Sequence, residues 1–294
     1  MSDADGTRED SILSILRGGS IFTVGTFVSR GLGFVLTLAL THAVGAAMLG
    51  VFVFGKRLVR ISAGLADLGA DKAILRFVPK YEDDPEHQGA VLTLGLVTSL
   101  VASVAFGVVL ALAASWIDAQ TLREPLFPDV LRVFALVLPF YTLRRVVTSV
   151  FRAQERLEYT VGLNKVAYPA AQIVAVGLAL VVGASVVGVT AAVVVAGVLV
   201  FVASGVLLYA RTDLRPRLAG TREVSEEYYE YSLPLTVSRA GSLVYSNVDV
   251  LMLGILAAGA AKVGIYHVAL ALSTILALPL MATKQGFPPV ASAS

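Results

Sequence analysis

The sequence predicts an all-α, polytopic bundle of membrane helices, and three observations support this prediction. The 294 residues are 56% hydrophobic and 15% charged, whereas a soluble domain carries about 25% charged residues. The mean hydropathy is +0.79. A soluble protein of this composition would need a very large buried core, which a chain this short cannot form. Eight apolar stretches are each long enough, at about 20 residues, to cross a bilayer core of about 30 Å as a helix.

The eight predicted spans follow one another through short turns and longer polar loops. The second span is the weakest, because Lys56, Arg57 and Arg60 interrupt it. Small residues are frequent in all the spans, which favours close packing of helices in lipid. We place the spans at about 18–44, 48–68, 88–116, 128–151, 159–182, 185–210, 231–256 and 263–281.

Basic residues predict the orientation of these spans. Seventeen Lys and Arg residues fall on one side of the eight spans, against only Arg123 and Lys262 on the other. Cytoplasmic loops carry this excess, so we expect a multi-pass protein of the cell membrane with a cytoplasmic N-terminus. Arg144 and Arg145, at the inner end of the fourth span, are interpreted as determinants of this topology. The segment 71–81 is predicted to continue the second span as a basic amphipathic helix along the interface.

A short phrase occurs twice and predicts an internal duplication. Gly-Ala-Ala-Met-Leu-Gly at 45–50 and Gly-Ala-Ala-Lys-Val-Gly at 259–264 each lie between two apolar runs. An even number of spans separates them, which predicts a parallel repeat about an axis along the membrane normal. We therefore expect a cytoplasmic tail (1–17), a six-helix N-terminal lobe (18–210), a cytoplasmic linker (211–230) and the first two helices of an incomplete second lobe (231–294), as in a truncated product or a fragment.

Arg30 and Arg239 are the main candidate site residues. Both follow the dipeptide Val-Ser, in the first and the seventh span. A charge near the midplane of a bilayer is costly, so it normally faces a wet cavity or a partner. Because a guanidinium fork suits phosphate oxygens, we predict that both arginines bind an anionic headgroup in a central cavity. The alternative is that each one caps a carbonyl or pairs with a carboxylate.

Four further polar residues inside spans are candidates for cavity or coupling roles. Asp249, close to Asn247 in the seventh span, could pair with a cavity arginine, bind a coupling cation or support a helix end. Lys165 and its neighbour Asn164 lie in the fifth span. Lys165 could instead extend its ammonium group to the interface.

Missing motifs exclude several classes of function. The chain has no cysteine and its three histidines are far apart, so we predict no metal site. There is no phosphate-binding P-loop, GxSxG or HExxH motif, and we expect no cofactor, no nucleic-acid partner and no catalytic site. A membrane-embedded sugar transferase would need acidic residues at the surface, and the close pairs at 83–84 and 226–227 are better explained as solvated charge.

Four stretches resemble the polysaccharide flippases of the multidrug/oligosaccharidyl-lipid/polysaccharide exporter superfamily. They are Val-Ser-Arg-Gly-Leu-Gly at 28–33, the turn at 45–52, Ala-Asp-Leu-Gly-Ala-Asp at 66–71 with Arg-Phe at 76–77, and 247–254 leading into 259–266. The resemblance implies two six-helix lobes around a cavity that opens to one side at a time. It also implies that Arg30 and Arg239 stand where cavity arginines are needed.

The resemblance further implies a cargo. Members of the polysaccharide branch flip an oligosaccharide on a polyprenyl (pyro)phosphate from the cytoplasmic to the outer leaflet. The expected partners are this lipid-linked oligosaccharide, membrane lipids and other proteins of polysaccharide assembly. One alternative is a cation-coupled multidrug exporter of the same superfamily, which predicts acidic cavity residues. Another is a non-functional truncated remnant, because the family has more helices than the eight predicted here.

Overall fold

The computed structural model describes residues 3–256 and 259–276, with side chains from Ser20 onwards except those of Ile21 and Ile275. The all-α prediction is confirmed, because the described residues form helices and no strand occurs among them. The helices are α1 (Asp3–Ala66), α2 (Ala70–Lys80), α3 (Pro85–Gln120), α4 (Phe127–Ala135), α5 (Leu138–Ala153), α6 (Leu157–Val161), a π-helical turn (Gly162–Ala167), α7 (Tyr168–Val181), α8 (Val186–Arg211), α9 (Thr221–Tyr245), α10 (Val248–Ile255) and α11 (Gly259–Leu276).

Helix α1 is a hairpin of two arms, residues 3–44 and 46–66, that meet at Gly45. The φ and ψ angles of Gly45 are 77° and 170°, a conformation that glycine adopts readily because it has no Cβ atom. On a straight helix Arg30 and Arg60 would be about 45 Å apart, yet both line one cavity. The arms therefore lie side by side, with the turn where the sequence predicts it.

Four helical segments of the described chain are long and apolar enough to cross a membrane, namely Phe22–Lys80, Pro85–Gln120, Leu157–Val181 and Val186–Arg211. The first of these contains both arms of the α1 hairpin from residue 22 onwards. Long apolar side chains along α3 and α8, such as Leu112 and Leu199, are exposed, as lipid-facing side chains are in a bilayer. These features support a multi-pass membrane protein.

Two predicted spans are interrupted in the structure. The fourth divides into α4 and α5 at 136–137, and the seventh divides into α9 and α10 at 246–247. Pro139 explains the first break, because its ring clashes with the carbonyl four residues earlier, at Ala135, where α4 ends. The eighth predicted span, 263–281, runs partly outside the described residues.

The two copies of the repeated phrase pack directly against each other. A Cβ atom placed on Gly50 would lie 1.8 Å from the carbonyl oxygen of Ala260, and one on Gly264 would lie 2.0 Å from that of Ala46. The second arm of α1 and the start of α11 thus touch backbone to backbone, which small residues permit in membrane helices. The contact is reciprocal, as between elements related by a twofold axis. We call it the glycine seam. The predicted lobe boundaries remain a prediction.

Candidate functional site

A cavity of about 650 Å³ lies between both arms of α1, α5, the π-helical turn with α7, and α11. Its size falls within the range of about 300–1,000 Å³ that is usual for ligand sites. Pro169 lies in the first turn of α7. It has no backbone N–H to donate to the preceding turn, and that turn is π-helical. Asn164 and Lys165 of this turn, and Tyr168 directly after it, lie on the cavity wall.

The cavity is strongly basic. Eight Lys and Arg residues line it, whereas Asp71 is the one acidic lining residue in the described part of the chain. A concave surface lined by one sign of charge concentrates ligands of the opposite sign. The basic lining residues are Arg30, Lys56, Arg57, Arg60, Arg144, Arg145, Arg152 and Lys165.

Neutral amides hold two of the three basic residues of the second arm of α1. The Lys56 Nζ atom donates to Oε1 of Gln172 at 3.1 Å, and Nη1 of Arg57 donates to Oδ1 of Asn247 at 2.9 Å. No carboxylate of a described residue lies within ion-pair distance of Lys56, Arg57 or Arg60. An amide fixes the position of a cation without neutralising its charge.

Arg144 is fixed by two aromatic rings and an amide. Its guanidinium lies 4.3 Å from the ring centroid of Tyr168 and 5.2 Å from that of Tyr141, distances at which cations are attracted to aromatic faces. Its Nη1 atom donates to Oδ1 of Asn164, and Arg144 is only 3% exposed. The neighbouring Lys165 ammonium lies 5.1 Å from the Phe22 ring centroid. Arg144 is therefore a fixed cation with no carboxylate within ion-pair distance among the described residues.

Beside the cavity, Asp67, Asp71, Arg145 and Arg239 form a buried ion cluster. Arg239 contacts Asp67 at 2.9 Å and Asp71 at 2.7 Å, while Arg145 contacts the same carboxylates at 2.8 and 3.2 Å. The Asp67 side chain is fully buried and also accepts from the backbone N–H of Gly69. Two carboxylates and two guanidinium groups offset one another, which lowers the cost of burying them. The cluster joins the end of α1 and α2 to α5 and α9.

The structure separates the two arginines that the sequence treats alike. Arg30, Asn164 and Lys165 line the cavity. Arg239 is not among the lining residues, and its guanidinium is occupied by Asp67 and Asp71. Its contacts therefore match the alternative of a carboxylate partner. Roles in ligand binding for these residues remain predictions.

Asn247 and Asp249 are placed near, but not on, the cavity wall. Asn247 is buried and accepts a hydrogen bond from the cavity residue Arg57. Asp249 accepts a hydrogen bond of 2.9 Å from the Tyr266 hydroxyl, which links α10 to α11. A coupling role for Asp249 is untested by these contacts.

Sequence reasoning missed the largest part of the site, because it assigned Arg144, Arg145 and the basic residues of the second span to topology. A signal was present in the second span, where Lys56 and Arg60 are four residues apart and so share one helix face. Basic side chains that interrupt an apolar run are expensive in lipid and usually face a wet interior. The energetic cost of charge in lipid therefore favours a position of Lys56 and Arg60 on a cavity wall.

Comparison with known proteins identifies the family. The family model described as polysaccharide biosynthesis protein matches residues 15–288. The lipid II flippase MurJ of Bacillus subtilis (strain 168) is 31% identical over 102 residues, which cover 34% of this chain and 19% of MurJ.

Solved transporter structures share the fold. The MATE multidrug transporter DinF-BH, in complex with R6G, superimposes with a TM-score of 0.67 at 19% identity, over 92% of this chain and 63% of that chain. A MOP superfamily transporter from Pyrococcus furiosus Vc1 (DSM3638) gives 0.62 at 17% identity, over 91% and 62%. This chain thus spans less than two thirds of the length of either structure.

These relatives are a flippase and transporters rather than enzymes, which agrees with the expectation from the sequence. At such low sequence identity, the similarity to the solved structures establishes the fold alone. The family model, in contrast, covers most of the chain. The protein therefore belongs to the polysaccharide biosynthesis protein family.

Proposed function

We propose that this chain builds the cargo cavity of a membrane transporter that moves a polyprenyl-(pyro)phosphate-linked oligosaccharide from the cytoplasmic to the outer leaflet by alternating access. The observation that carries the proposal is the excess of basic over acidic residues on the cavity wall. The match to a lipid II flippase and to the polysaccharide biosynthesis family supports it.

The chemistry of the cavity suits a phosphate that must cross a bilayer. An ionised phosphate loses its water shell on entering a low-dielectric interior, at a high cost in free energy. Fixed guanidinium groups replace that water with charge-assisted hydrogen bonds, and the planar fork can contact two oxygens at once. Arg144 is held in place by Tyr141 and Tyr168 before any ligand arrives, so little side-chain entropy is lost on binding.

The same charges weigh against the cation-coupled multidrug exporter. A cationic drug or a coupling cation needs an available carboxylate, and the Asp71 carboxylate on the cavity wall already contacts Arg145 and Arg239. A cation in this cavity would be repelled by eight basic side chains. The anionic cargo is therefore the better match to the lining.

The orientation is part of the proposal. Two short turns, at 45–47 and 257–262, are assigned to the outer side by the distribution of basic residues. With a cytoplasmic N-terminus, the glycine seam lies at the outer end of the bundle. Cargo then enters from the cytoplasmic leaflet.

The test is a binding measurement on the full chain in lipid nanodiscs, with a polyprenyl pyrophosphate that carries a short oligosaccharide. We expect Arg144→Gln to weaken binding by roughly tenfold or more, because a charge-assisted hydrogen bond contributes about 1.5–3 kcal/mol. Arg144→Lys keeps the positive charge but not the planar fork, so its affinity should lie between those of the unaltered chain and Arg144→Gln.

The matched control is Arg132→Gln, since Arg132 pairs with Asp129 at the surface with about half of its side chain exposed. It should bind as the unaltered chain does. If Arg144→Gln and Arg132→Gln bind the lipid equally well while both remain folded, the phosphate role of the cavity is wrong.

A further inference from the structure

We propose that the cavity contains a second anion subsite, centred on Lys56, which takes an acidic group on the sugar part of the cargo. The oligosaccharide would then itself be acidic. This inference rests on the proposed function and adds to it the charge of the glycan, which neither the family nor the fold specifies.

The first argument is a surplus of positive charge. Six basic side chains of the cavity wall have no carboxylate within ion-pair distance among the described residues, namely Lys56, Arg57, Arg60, Arg144, Arg152 and Lys165. A pyrophosphate linking a lipid to a sugar has one ionised oxygen on each of its two phosphates. Unpaired charges inside a membrane protein are costly, so the unused cations indicate more negative charge in the ligand than the pyrophosphate alone supplies.

The second argument is the spread of the cations along the cavity wall. Arg144 bonds to Asn164, and Lys56 bonds to Gln172. These two amide residues are eight positions apart on one continuous helical segment, or about 12 Å along its axis at 1.5 Å per residue. Two phosphates that share one bridging oxygen are too close together to neutralise both ends, so one end is left for a different part of the cargo.

The third argument is the chemistry around Lys56. Gln172, only 4% exposed, holds the ammonium through Oε1, and its amide nitrogen has no hydrogen-bond partner in the described part of the chain. Arg60 follows Lys56 by one helical turn on the same wall and is exposed to the cavity. Thr37 and His267 also line the cavity and are hydrogen-bonded to each other at 3.3 Å.

This combination fits a charged sugar better than a bare phosphate. The ammonium of Lys56 and the guanidinium of Arg60 attract an anion and donate hydrogen bonds of the kind that sugar oxygens accept. The anionic group can be the carboxylate of a uronic acid or a phosphate carried on a sugar. Both are recognised by the same charge-assisted hydrogen bonds.

The experiment compares three probes on the full chain in nanodiscs. All three carry the same polyprenyl pyrophosphate and the same trisaccharide, with a terminal glucose, a glucuronic acid or a glucose bearing a phosphate. We expect at least one acidic probe to bind roughly tenfold tighter than the glucose probe, a difference of about 1.4 kcal/mol. The preference should shrink as salt is raised, because salt screens charge.

Substitutions test which residues cause the preference for an acidic probe over the glucose probe. Lys56→Gln and, separately, Arg60→Gln should bring the ratio of acidic to neutral affinity towards one, whereas Arg132→Gln should keep the ratio of the unaltered chain. This ratio of affinities is informative even if a variant is less stable, because a smaller folded fraction reduces the measured binding of all three probes equally. The probe with the higher affinity identifies the anionic group as carboxylate or phosphate.

The outcomes separate the two proposals. Equal affinity for the neutral and both acidic probes overturns the second subsite and leaves the proposed function intact. A preference that survives both Lys56→Gln and Arg60→Gln also overturns it, because the acidic group then binds elsewhere. Failure of all three probes to bind argues against the proposed function itself.

Discussion

The chain before residue 211 meets the helices α9–α11 in two contrasting places. At the glycine seam, α1 and α11 touch through backbone atoms and small residues. At the ion cluster, α9 is joined to α1, α2 and α5 through two carboxylates and two guanidinium groups. Separating the seam loses van der Waals contact but exposes no charge, whereas separating the cluster leaves buried charges unpaired.

The contrast has an origin in the repeat itself. Arg30 precedes its turn glycine, Gly45, by fifteen residues, whereas Arg239 precedes Gly259 by twenty. The structure also interrupts the second of these segments at 246–247, between α9 and α10, whereas the segment from Arg30 to Gly45 has no such break. The two Val-Ser-Arg tripeptides therefore cannot point to equivalent places while the two glycine phrases pack symmetrically. Only the seam keeps the symmetry of the repeat, and we expect the two regions to respond differently to substitution.

The largest effect is expected at the ion cluster. Arg239→Met leaves Asp67 and Asp71 with Arg145 as their one guanidinium partner, and breaking a buried pair costs about 3 kcal/mol or more. Thermal or denaturant unfolding of the purified chain measures this loss. In the double variant Arg239→Met with Asp67→Asn, one surplus charge is removed, so the combined loss should be smaller than the sum of the two single losses.

Arg30→Met is the internal comparison for that experiment. Because Arg30 lies on the wall of the cavity, its replacement should act mainly on binding of the polyprenyl pyrophosphate probe. Equal losses of stability for Arg30→Met and Arg239→Met would contradict the structural difference between the two arginines.

These arginines also mark the limit of what the sequence can predict. The turn at 45–47, the spans and the candidates Arg30, Asn164 and Lys165 follow from local pattern, because hydropathy and the cost of charge in lipid act residue by residue. The partner of Arg239 is Asp67, 172 positions away, and no local pattern encodes that pairing. Lys56 and Arg60 enter the sequence analysis as interruptions of the second span and in the count of basic residues, and such a count does not indicate which of these side chains line a cavity.

A smaller effect, and a symmetric one, is expected at the glycine seam. A methyl group on either Gly50 or Gly264 meets a backbone carbonyl oxygen, which cannot rotate away. Overpacking of this kind typically costs about 1–3 kcal/mol, so Gly50→Ala and Gly264→Ala should each lower the unfolding free energy by similar amounts. The measurement is thermal unfolding in detergent micelles.

The control for the seam is Gly205→Ala in α8, where an added Cβ has no neighbour within 4 Å. Alanine is favoured over glycine inside a helix by up to about 1 kcal/mol, so this variant should be unchanged or more stable. If only one of the two seam variants is destabilised, the reciprocal contact is incorrect.

The smallest effect is expected at an exposed carboxylate that also contributes to holding α9. Asp84 caps α3 by accepting from the backbone N–H groups of Glu86 and His87, and the His87 ring bridges Asp84 to Glu223 of α9. Hydrogen bonds from His87 lower the pKa of Asp84 below its ordinary value. A carboxyl group whose pKa is lowered by folding stabilises the folded state at pH values above its pKa in the unfolded chain. This stabilisation is lost as the pH falls through the pKa of the folded state.

Asp84→Asn should therefore lower the unfolding temperature slightly at neutral pH, and the difference from the unaltered chain should diminish below about pH 4, near the ordinary pKa of aspartate. Unfolding temperatures measured from pH 7 down to pH 3 test this, with Asp83→Asn as the neighbouring control, for which the described structure has no hydrogen-bond or ion-pair partner. A difference that stays constant over the whole range would mean that Asp84 acts through packing rather than charge. The ion cluster would then be the clearer case of a charge that holds α9, which would sharpen its contrast with the glycine seam.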